Sequence, residues 1–505
     1  MKKYFTSLNI IFAIEIIAVF LAVLGVAPRE IILIWTGLAV FFIIFSPPKE
    51  GLWLVLASIP LFAALSISDS FDTLANWRIL TLVLFLKVFW RRESLAEIKG
   101  YLKNWRRPEI FFLLLFFLLA ASSILVATFK ILAIKKLIFI INAFLLLLVV
   151  KKLARDERSV LEIWQALAVG GGTVIFVALI QFLAVIFVPL FDFWQFWAGR
   201  VISVFYGADL AHLLSYSNTW FAYYSSAPPT LRLFSVFPDS HSFAMFNLLM
   251  LPIFLSLALF FKNEKTKKRF FGILTALALL SVAFSGSRGA WLNVVPAFLL
   301  ILFLLRRKIE YFLTAKVAWT LILFVVLFVF STIWPPVFYQ FQAWQKGEGF
   351  SGKFSFFERA KSISDADELS NKGRLQIWRA SLISIEKNPI LGVGLGNYVR
   401  VLDEKVSAAK KGASAHNLYL DFASEIGLAG AVALVAVFGL ILKRAWFVFR
   451  RSKEEYFKFF GLAFGIYFLW VLGYSFFDVV LLNDKVLLLF MVSVGALYSF
   501  EFSKK

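Results

Sequence analysis

Apolar segments of near-membrane length recur along the whole chain, and short charged loops separate most of them. A helix that crosses a bilayer needs about 20 apolar residues, whereas a strand of a membrane barrel shows roughly 10 residues of alternating polarity. Of the 505 residues, 61% are hydrophobic, and the mean hydropathy of +0.83 lies far outside the range of soluble domains. The sequence therefore predicts an all-α, polytopic integral membrane protein with a single transmembrane domain over residues 1–505.

The apolar segments predict about 12–14 transmembrane helices. They lie at 5–26, 31–46, 51–67, 79–90, 110–128, 137–150, 160–190, 241–261, 270–285, 290–305, 311–334, 428–442, 459–477 and 485–500. The first segment is too long for a signal peptide and lacks a small-residue cleavage pattern, so we interpret it as a retained helix that starts in the cytoplasm. Glu15 within it is expected to be a snorkelling or an interhelical polar residue rather than a proton carrier.

The net charge of +21 is compatible with a nucleic-acid partner, but an excess of Lys and Arg on one face of a membrane protein explains it more simply. The basic residues fall in every second loop, which the positive-inside rule assigns to the cytoplasm together with both termini. The remaining loops have mixed or sparse charge and are expected outside, at 68–78, 191–240, 335–427 and 479–484. The second and third of these are the two larger outer loops. A further outer hairpin is expected to contain Lys130, Lys135 and Lys136.

Composition also limits the chemistry. The chain contains no Cys, which excludes disulfides, thiolate nucleophiles and Cys-ligated metals, and its three scattered His argue against a zinc site. The run Gly392-Val393-Gly394-Leu395-Gly396 superficially resembles a nucleotide-binding loop, but no strand precedes it, so a tight turn is the better interpretation. We therefore expect no metal, no nucleotide or other cofactor, and no nucleic-acid partner.

Three polar patches, far apart in the sequence, fall on the outer side of this arrangement. The first contains Arg232, the second is Ser287-Arg288-Gly289 between two apolar helices, and the third contains Arg374, Arg379 and His416. A guanidinium between apolar helices is costly unless it meets an anion or a carboxylate, so Arg288 is a candidate ligand contact, with an interfacial anchor as the alternative. Arg232 fits a structural ion pair and a ligand contact equally well.

The longest polar interval carries two further signals. Apolar residues at helical spacing predict an amphipathic helix over 374–386 that ends before Pro389 and lies on the membrane surface or over a cavity. Ser414 is expected to cap a second helix that begins near Ala415, which would place His416 in its first turn. A His can act as a general base on a hydroxyl, although a loop His taken alone is more often a surface residue.

These motifs, in this order, resemble the O-antigen ligase and O-antigen polymerase superfamily. The resemblance covers roughly residues 232–430, whereas the first two hundred residues match only in being apolar helices, and the expected helix count exceeds the dozen typical of the family. The residues that carry it are Arg232, Phe237-Pro238, Ser287-Arg288-Gly289-Ala290-Trp291, Gly373-Arg374-Leu375-Gln376-Ile377-Trp378, Pro389, Gly392, Gly394, Asn397-Tyr398, Ala415-His416-Asn417-Leu418-Tyr419-Leu420, Glu425, Gly427 and Gly430.

The resemblance implies an enzyme that transfers a glycan from a polyprenyl diphosphate carrier to a hydroxyl acceptor at the outer face of the cytoplasmic membrane, without metal or nucleotide. It implies that His416 deprotonates the acceptor, that Arg232 and Arg374 hold the diphosphate, and that Arg288 supports them. Arginine suits these roles chemically, because it binds phosphate through two parallel hydrogen bonds and stabilises the charge that develops on the leaving group.

Three kinds of acceptor fit these motifs equally: the lipid A core of an O-antigen ligase, the growing glycan of a polymerase, and the protein hydroxyl of an O-oligosaccharyltransferase. A transporter or flippase of lipid-linked sugars is the alternative from another class, but it predicts inverted repeats and broken helices that the sequence lacks. We expect an outer-face cavity that opens sideways to lipid and is lined by Arg232, Arg288, Arg374 and His416. His212 and His241 are expected to be dispensable.

Overall fold

The computed structural model describes residues 6–66, 73–90, 96, 99–100, 103–215, 220–222, 230–345, 369–402 and 414–500. Helices dominate this part of the chain, and its strands form two short antiparallel ribbons. The helices are α1 Ser7–Leu24, α2 Ile31–Phe45, α3 Pro48–Ala57, α4 Asn76–Phe89, α5 Pro108–Ser122, α6 Lys130–Leu153, α7 Glu157–Phe187, α8 Leu190–Phe196, α9 Ser203–Tyr206, α10 Ala208–Ser215, α11 Ser240–Phe260, α12 Lys265–Phe284, α13 Arg288–Leu292, α14 Val294–Arg306, α15 Tyr311–Gln345, α16 Leu369–Lys387, α17 Leu418–Arg451, α18 Glu455–Tyr474 and α19 Asp484–Ser499. The ribbons pair β1 Ala64–Ser66 with β2 Thr73–Ala75, and β3 Phe221–Ala222 with β4 Thr230–Leu231.

Nine helical spans in the described part of the chain are long and apolar enough to cross a membrane. Large apolar side chains cover their outer surfaces, as at Phe20, Phe176 and Trp319, which are 60%, 63% and 69% exposed. Such a surface suits hydrocarbon, whereas a soluble protein rarely exposes large contiguous apolar patches. The predicted all-α, polytopic membrane architecture is confirmed.

Helix α11 lies at the centre of the bundle, where α7, α12, α18 and α19 pack around it. Most of its side chains are buried, including the rings of Phe243, Phe246 and Phe254. Asp239 caps its start by accepting the N–H of Ser242 at 2.7 Å, which satisfies one of the amides that a helix N-terminus leaves without a partner. The segment that precedes α11 is thereby anchored to the core.

The antiparallel helices α11 and α18 define two ends of the bundle. At one end, Lys262 follows α11 and pairs with Glu455 at the start of α18, with 3.1 Å between Nζ and Oε2. At the other end, His241 near the start of α11 lies 2.7 Å from the hydroxyl of Tyr474, the last residue of α18. We call this second end the polar end. The basic segment 262–269 thus lies at the end of these helices opposite to the polar end.

The predicted helix over 51–67 is wrong in its second half. Helix α3 ends at Ala57, and a 3-10 turn at Ile59–Leu61 leads into β1. Pro60 lacks the amide hydrogen that a continued helix needs. The side-chain oxygen of Asn76 instead accepts the N–H of Ala63 at 3.2 Å, so a buried backbone amide is satisfied without a helix.

The prediction that Lys130, Lys135 and Lys136 lie in the loop of an outer hairpin is also wrong, because α6 begins at Lys130 and contains all three. The turn between α5 and α6 lies at residues 123–129 instead. Lys136 meets carboxylates of α17, and such partners from a distant segment make a lysine tolerable inside a membrane helix. Helix α4 likewise begins at Asn76, so the second part of the predicted loop 68–78 is β2 and helix. Its acidic residues Asp69 and Asp72 lie outside the described residues.

The two larger predicted loops contain regular structure. Residues 191–240 include α8, a π-helical turn at Trp197–Ile202, α9, α10 and the second ribbon. In 335–427, α15 continues to Gln345, and the amphipathic helix predicted at 374–386 is confirmed as α16. Residues 346–368 and 403–413 of this connection lie outside the described part of the chain.

Candidate active site

The sequence predicted that His416 lies in the first turn of a helix. In the structure it lies in a turn directly before α17. The cap is Asn417, whose side-chain oxygen accepts the N–H groups of Tyr419 and Leu420 at 3.0 and 3.1 Å. Ser414 instead accepts the N–H of His416 at 3.3 Å. The φ angle of His416 is +46°, a left-handed conformation that non-glycine residues adopt only when their surroundings hold them there.

Asp478 faces His416 from the segment that follows α18. Its Oδ1 lies 3.9 Å from Nδ1 of His416, a charge contact that is too long for a hydrogen bond. The N–H of Leu418 donates to the carbonyl of Ser475 at 2.8 Å, which fixes the two segments side by side. The His416 side chain is 38% exposed and that of Asp478 only 11%, so the imidazole is open to a substrate while the carboxylate is not.

The charge of Asp478 is maintained by its surroundings. Burial opposes its ionisation, but the imidazoles of His416 and His241 and the guanidinium of Arg374 outweigh burial and hold the pKa of Asp478 well below its usual range. Asp239 behaves oppositely, because burial and the charge of Asp478 raise its pKa to about 6. The surroundings of Asp478 therefore favour its charged form beside His416.

Arg232 and Arg288 belong to adjacent segments at the polar end. The N–H of Leu233 donates to the carbonyl of Phe284 at 3.1 Å, so the Arg232 segment runs along the end of α12. The stem of Arg232 packs on Gly286, where an added Cβ would lie 3.1 Å from its Cγ. Arg288 follows two residues later as the first residue of α13. The structure thus brings the first and second predicted patches together.

His241 and Tyr474 anchor the second patch. Nδ1 of His241 lies 3.0 Å from the hydroxyl oxygen of Ser287 and 2.7 Å from that of Tyr474, and the Ser287 hydroxyl donates to Tyr474 at 2.6 Å. The Tyr474 ring also packs on Gly289, where an added Cβ would lie 2.8 Å away. Phe477, next to Asp478, contacts Gly289 as well. The Arg288 turn is therefore connected to both α11 and the Asp478 segment.

Helix α16 brings Arg374 to the same place. One turn after Arg374, the indole N–H of Trp378 donates to the carbonyl of Ala415 at 3.1 Å, which docks α16 on the His416 turn. Among the described residues Arg374 pairs with no carboxylate within salt-bridge distance, yet it is close enough to lower the pKa of Asp478. Arg379 is exposed, so the two arginines of α16 differ in environment.

The tight turn predicted at Gly392-Val393-Gly394-Leu395-Gly396 is confirmed. All three glycines have positive φ, and the N–H groups of Val393 and Gly394 donate to the carbonyls of Ser424 and Glu425 at 2.8 and 3.0 Å. At Gly427, α17 is interrupted by a conformation of φ 78° and ψ 170° that is essentially restricted to glycine. The turn therefore packs against a kink and supports the part of α17 that follows His416.

Asp478 and His241 escape prediction from the sequence for different reasons. Asp478 stands just outside the loop drawn at 479–484, and the available signal was an acidic residue directly after an apolar helix. His241 begins a membrane helix, where a polar side chain is as readily explained by capping. Among the residues that the structure describes, no group of three His, Cys, Asp or Glu side chains has the arrangement of a metal site.

The family described as O-antigen ligase matches residues 273–435 of this chain. The chain carries an O-antigen ligase domain. The resemblance inferred from the motifs is thereby confirmed, and the domain includes Arg288, Arg374 and His416. The O-antigen ligase domain does not include Arg232, His241 and Asp478, although each lies close to it: Arg232 at Gly286, His241 at Ser287 and Asp478 at His416.

One relative also matches part of this chain. A Haemophilus influenzae protein described as uncharacterized is 28% identical over 191 residues, which cover 35% of this chain and 44% of that protein. The match spans less than half the length of the relative. The matched domain lies within a multi-pass membrane protein, and the activity, donor and acceptor of the whole protein are matters of proposal.

Proposed function

We propose that this protein transfers a glycan from a polyprenyl diphosphate carrier to a hydroxyl acceptor, in the manner of an O-antigen ligase. The reaction takes place at the outer face of the cytoplasmic membrane, at the polar end of the bundle, and both termini lie in the cytoplasm. The concentration of Lys and Arg in every second loop supports this orientation. The reaction uses no metal and no nucleotide.

The observation that carries the proposal is an exposed imidazole, His416, with a buried carboxylate behind it and arginines beside it. Because Nδ1 faces Asp478, Nε2 is the atom available to the acceptor hydroxyl. His416 accepts the hydroxyl proton through Nε2 as the hydroxyl oxygen attacks the anomeric carbon of the glycan. The bond from that carbon to the diphosphate oxygen breaks, and the diphosphate departs with the bonding electrons.

The arginines supply what the leaving group requires. A diphosphate gains negative charge as its bond to the sugar breaks, and fixed guanidinium groups stabilise that charge more in the transition state than in the ground state. Arg374 is suited to this task because it pairs with no carboxylate among the described residues. Arg232 packs at the turn that precedes Arg288, so these two segments would hold the diphosphate together with Arg374.

An apolar cavity of about 320 Å³ supports a lipid-linked donor. It lies among α5, α6, α17 and α19, and its lining includes Leu418 and Leu481, which follow His416 and Asp478 by two and three residues. Its far limit is marked by Glu109 and Lys151 near the opposite end of the bundle. A cavity that runs through the membrane interior beside the site suits a long hydrocarbon chain whose diphosphate must reach the arginines.

The proposal is tested with purified protein in nanodiscs supplied with polyprenyl diphosphate-linked oligosaccharide. Lipid A core, free oligosaccharide and a Ser- or Thr-containing peptide are offered separately as acceptors. We expect transfer to one of them, release of polyprenyl diphosphate, and loss of transfer in His416→Ala with donor binding preserved. His212→Ala is the matched control, since His212 is exposed on α10.

Two results would contradict the proposal. Transfer by His416→Ala at more than a few per cent of the wild-type rate would exclude His416 as the base. Movement of the lipid-linked sugar across the bilayer, without transfer to any acceptor, would favour the transporter alternative.

A further inference from the structure

We infer that Lys136 is a positioning residue for His416, acting through Asp421 and the backbone of Ala415. Lys136 projects from α6 towards the first two turns of α17. Its Nζ lies 3.4 Å from Oδ2 of Asp421 and 2.6 Å from Oε2 of Glu425. The other carboxylate oxygen of Asp421, Oδ1, accepts the N–H of Ala415 at 3.1 Å. The inference rests on the proposed role of His416 as the base.

The burial of this cluster makes the lysine necessary. The side chains of Asp421 and Glu425 are 4% and 1% exposed, and that of Lys136 is 21% exposed. Two carboxylates one helical turn apart repel each other, and their burial is costly unless a cation compensates them. Without the ammonium group, Asp421 would have to turn towards water or take up a proton, and its contact with Ala415 would weaken.

The peptide before His416 is held on both sides. The N–H of Ala415 donates to Asp421, and its carbonyl accepts from the indole of Trp378. These two bonds tie the turn to α17 and to the helix that carries Arg374. A left-handed His persists only where neighbouring contacts determine its backbone. Because one of the two bonds ends on Asp421, Lys136 contributes to that backbone from a different membrane helix.

An ion pair with a purely structural role would also join α6 to α17. The test must therefore separate an effect on the position of His416 from an effect on the stability of the protein. In Lys136→Met the charge is lost and the stem is kept. In the double variant Lys136→Met with Glu425→Gln, one positive and one negative charge are removed together, which relieves the uncompensated burial. In Lys136→Arg the cation is kept. Lys130→Met, at the exposed first residue of the same helix, is the matched control.

Three measurements are made on each variant in nanodiscs. The first is glycan transfer from polyprenyl diphosphate-linked oligosaccharide, resolved into kcat and KM for the donor. The second is the rate at which diethyl pyrocarbonate modifies His416, followed by mass spectrometry, which requires no transferase activity. Thermal unfolding is recorded to compare stability.

We expect Lys136→Met to lower kcat about ten- to a hundredfold, with a donor KM within about threefold of wild type and faster modification of His416. The double variant should recover thermal stability but not kcat, whereas Lys136→Arg should recover much of kcat. A double variant with wild-type kcat, or an unchanged modification rate in Lys136→Met, would overturn the inference. If the wild-type protein transfers no glycan but Lys136→Met still changes the modification rate of His416, the proposed function is refuted. The role of Lys136 in positioning His416 would still be supported.

Discussion

Substitution of Asp478 by Asn tests whether a fixed carboxylate supports proton transfer by His416. Asn keeps the shape and one oxygen of the side chain but removes the charge that lies 3.9 Å from Nδ1. At that distance two unit charges attract by about 1 kcal/mol in bulk water and by about 4 kcal/mol at an effective dielectric constant of 20.

The lower part of that range applies, because the His416 side chain is 38% exposed and water screens the pair. A loss of about 1–2 kcal/mol in the stabilisation of the protonated imidazole corresponds to a decrease in kcat of about 5- to 30-fold. The donor KM should change little, since Asp478 carries a negative charge and does not bind the diphosphate. The expected effect is therefore on the chemical step.

The pH dependence has a definite sign. The pKa of Asp478 is depressed in the folded protein, so its charge is present above the ordinary carboxylate range of about 4 and is lost only as the pH falls further. It is thus ionised throughout any assay between about pH 5 and 9. Removal of this charge disfavours the protonated imidazole, so the acidic limb of the pH–kcat profile of Asp478→Asn should move to lower pH.

The assay is glycan transfer in nanodiscs across that pH range, with kcat and donor KM determined at each pH. Asp192→Asn is the control, because it removes an exposed carboxylate from the first turn of α8. An unchanged kcat in Asp478→Asn, or a defect confined to the donor KM, would refute the reasoning. An acidic limb that moved to higher pH would refute it as well.

Three further predictions concern the arginines, the second histidine and metals. Arg374→Ala should weaken donor binding and turnover about ten- to a hundredfold, the equivalent of about 1.5–3 kcal/mol for a charge-assisted contact, whereas Arg379→Ala should not; equal effects would remove the assignment. His241→Ala should lower kcat about tenfold, the equivalent of about 1.4 kcal/mol, because Ser287 and Tyr474 lose a buried partner. This prediction replaces the expectation from the sequence that His241 is dispensable. Wild-type activity in His241→Ala would support the earlier expectation instead. Transfer should persist in EDTA, since three His and no Cys offer few of the ligands that zinc prefers and the described residues contain no group of three that could hold a metal ion. Inhibition that added divalent ions reverse would contradict this.

Much of the fold is predictable because the bilayer dictates the length of each apolar segment. The failures at 51–67 and at Lys136 share one physical cause. In each, a partner far away in the sequence satisfies a polar group that has no local partner. Asn76 satisfies the backbone after α3, and Asp421 with Glu425 satisfies Lys136. Hydropathy and periodicity report local preference, and they do not contain these tertiary partners.

The sequence predicts the candidate site residues that belong to a motif. It does not predict those whose role depends on a contact that forms only in the folded chain. Arg232, Arg288, Arg374 and His416 come from motifs. In the structure the segments of Arg232 and Arg288 contact each other, those of Arg374 and His416 contact each other, and residues 474–478 contact both pairs. The helix cap was misassigned because Ser414 and Asn417 are both good cap residues, and only the fold determines that Asn417 reaches two amides. Asp478 could not be found locally, since its significance depends on a contact with a residue 62 positions earlier.

The interruption of α17 at Gly427 separates the candidate catalytic turn around His416 from the membrane span that follows it. The part of α17 beyond Gly427 crosses the membrane, and in a thicker or thinner bilayer such a span changes its tilt. At the kink, the N–H of Leu428 donates to the carbonyl of Pro389 at 2.9 Å and not to the preceding helical turn, so a tilt of the span is not transmitted as the bending of a continuous rod. His416 can thereby keep one geometry while the membrane around it varies in thickness with lipid composition and temperature.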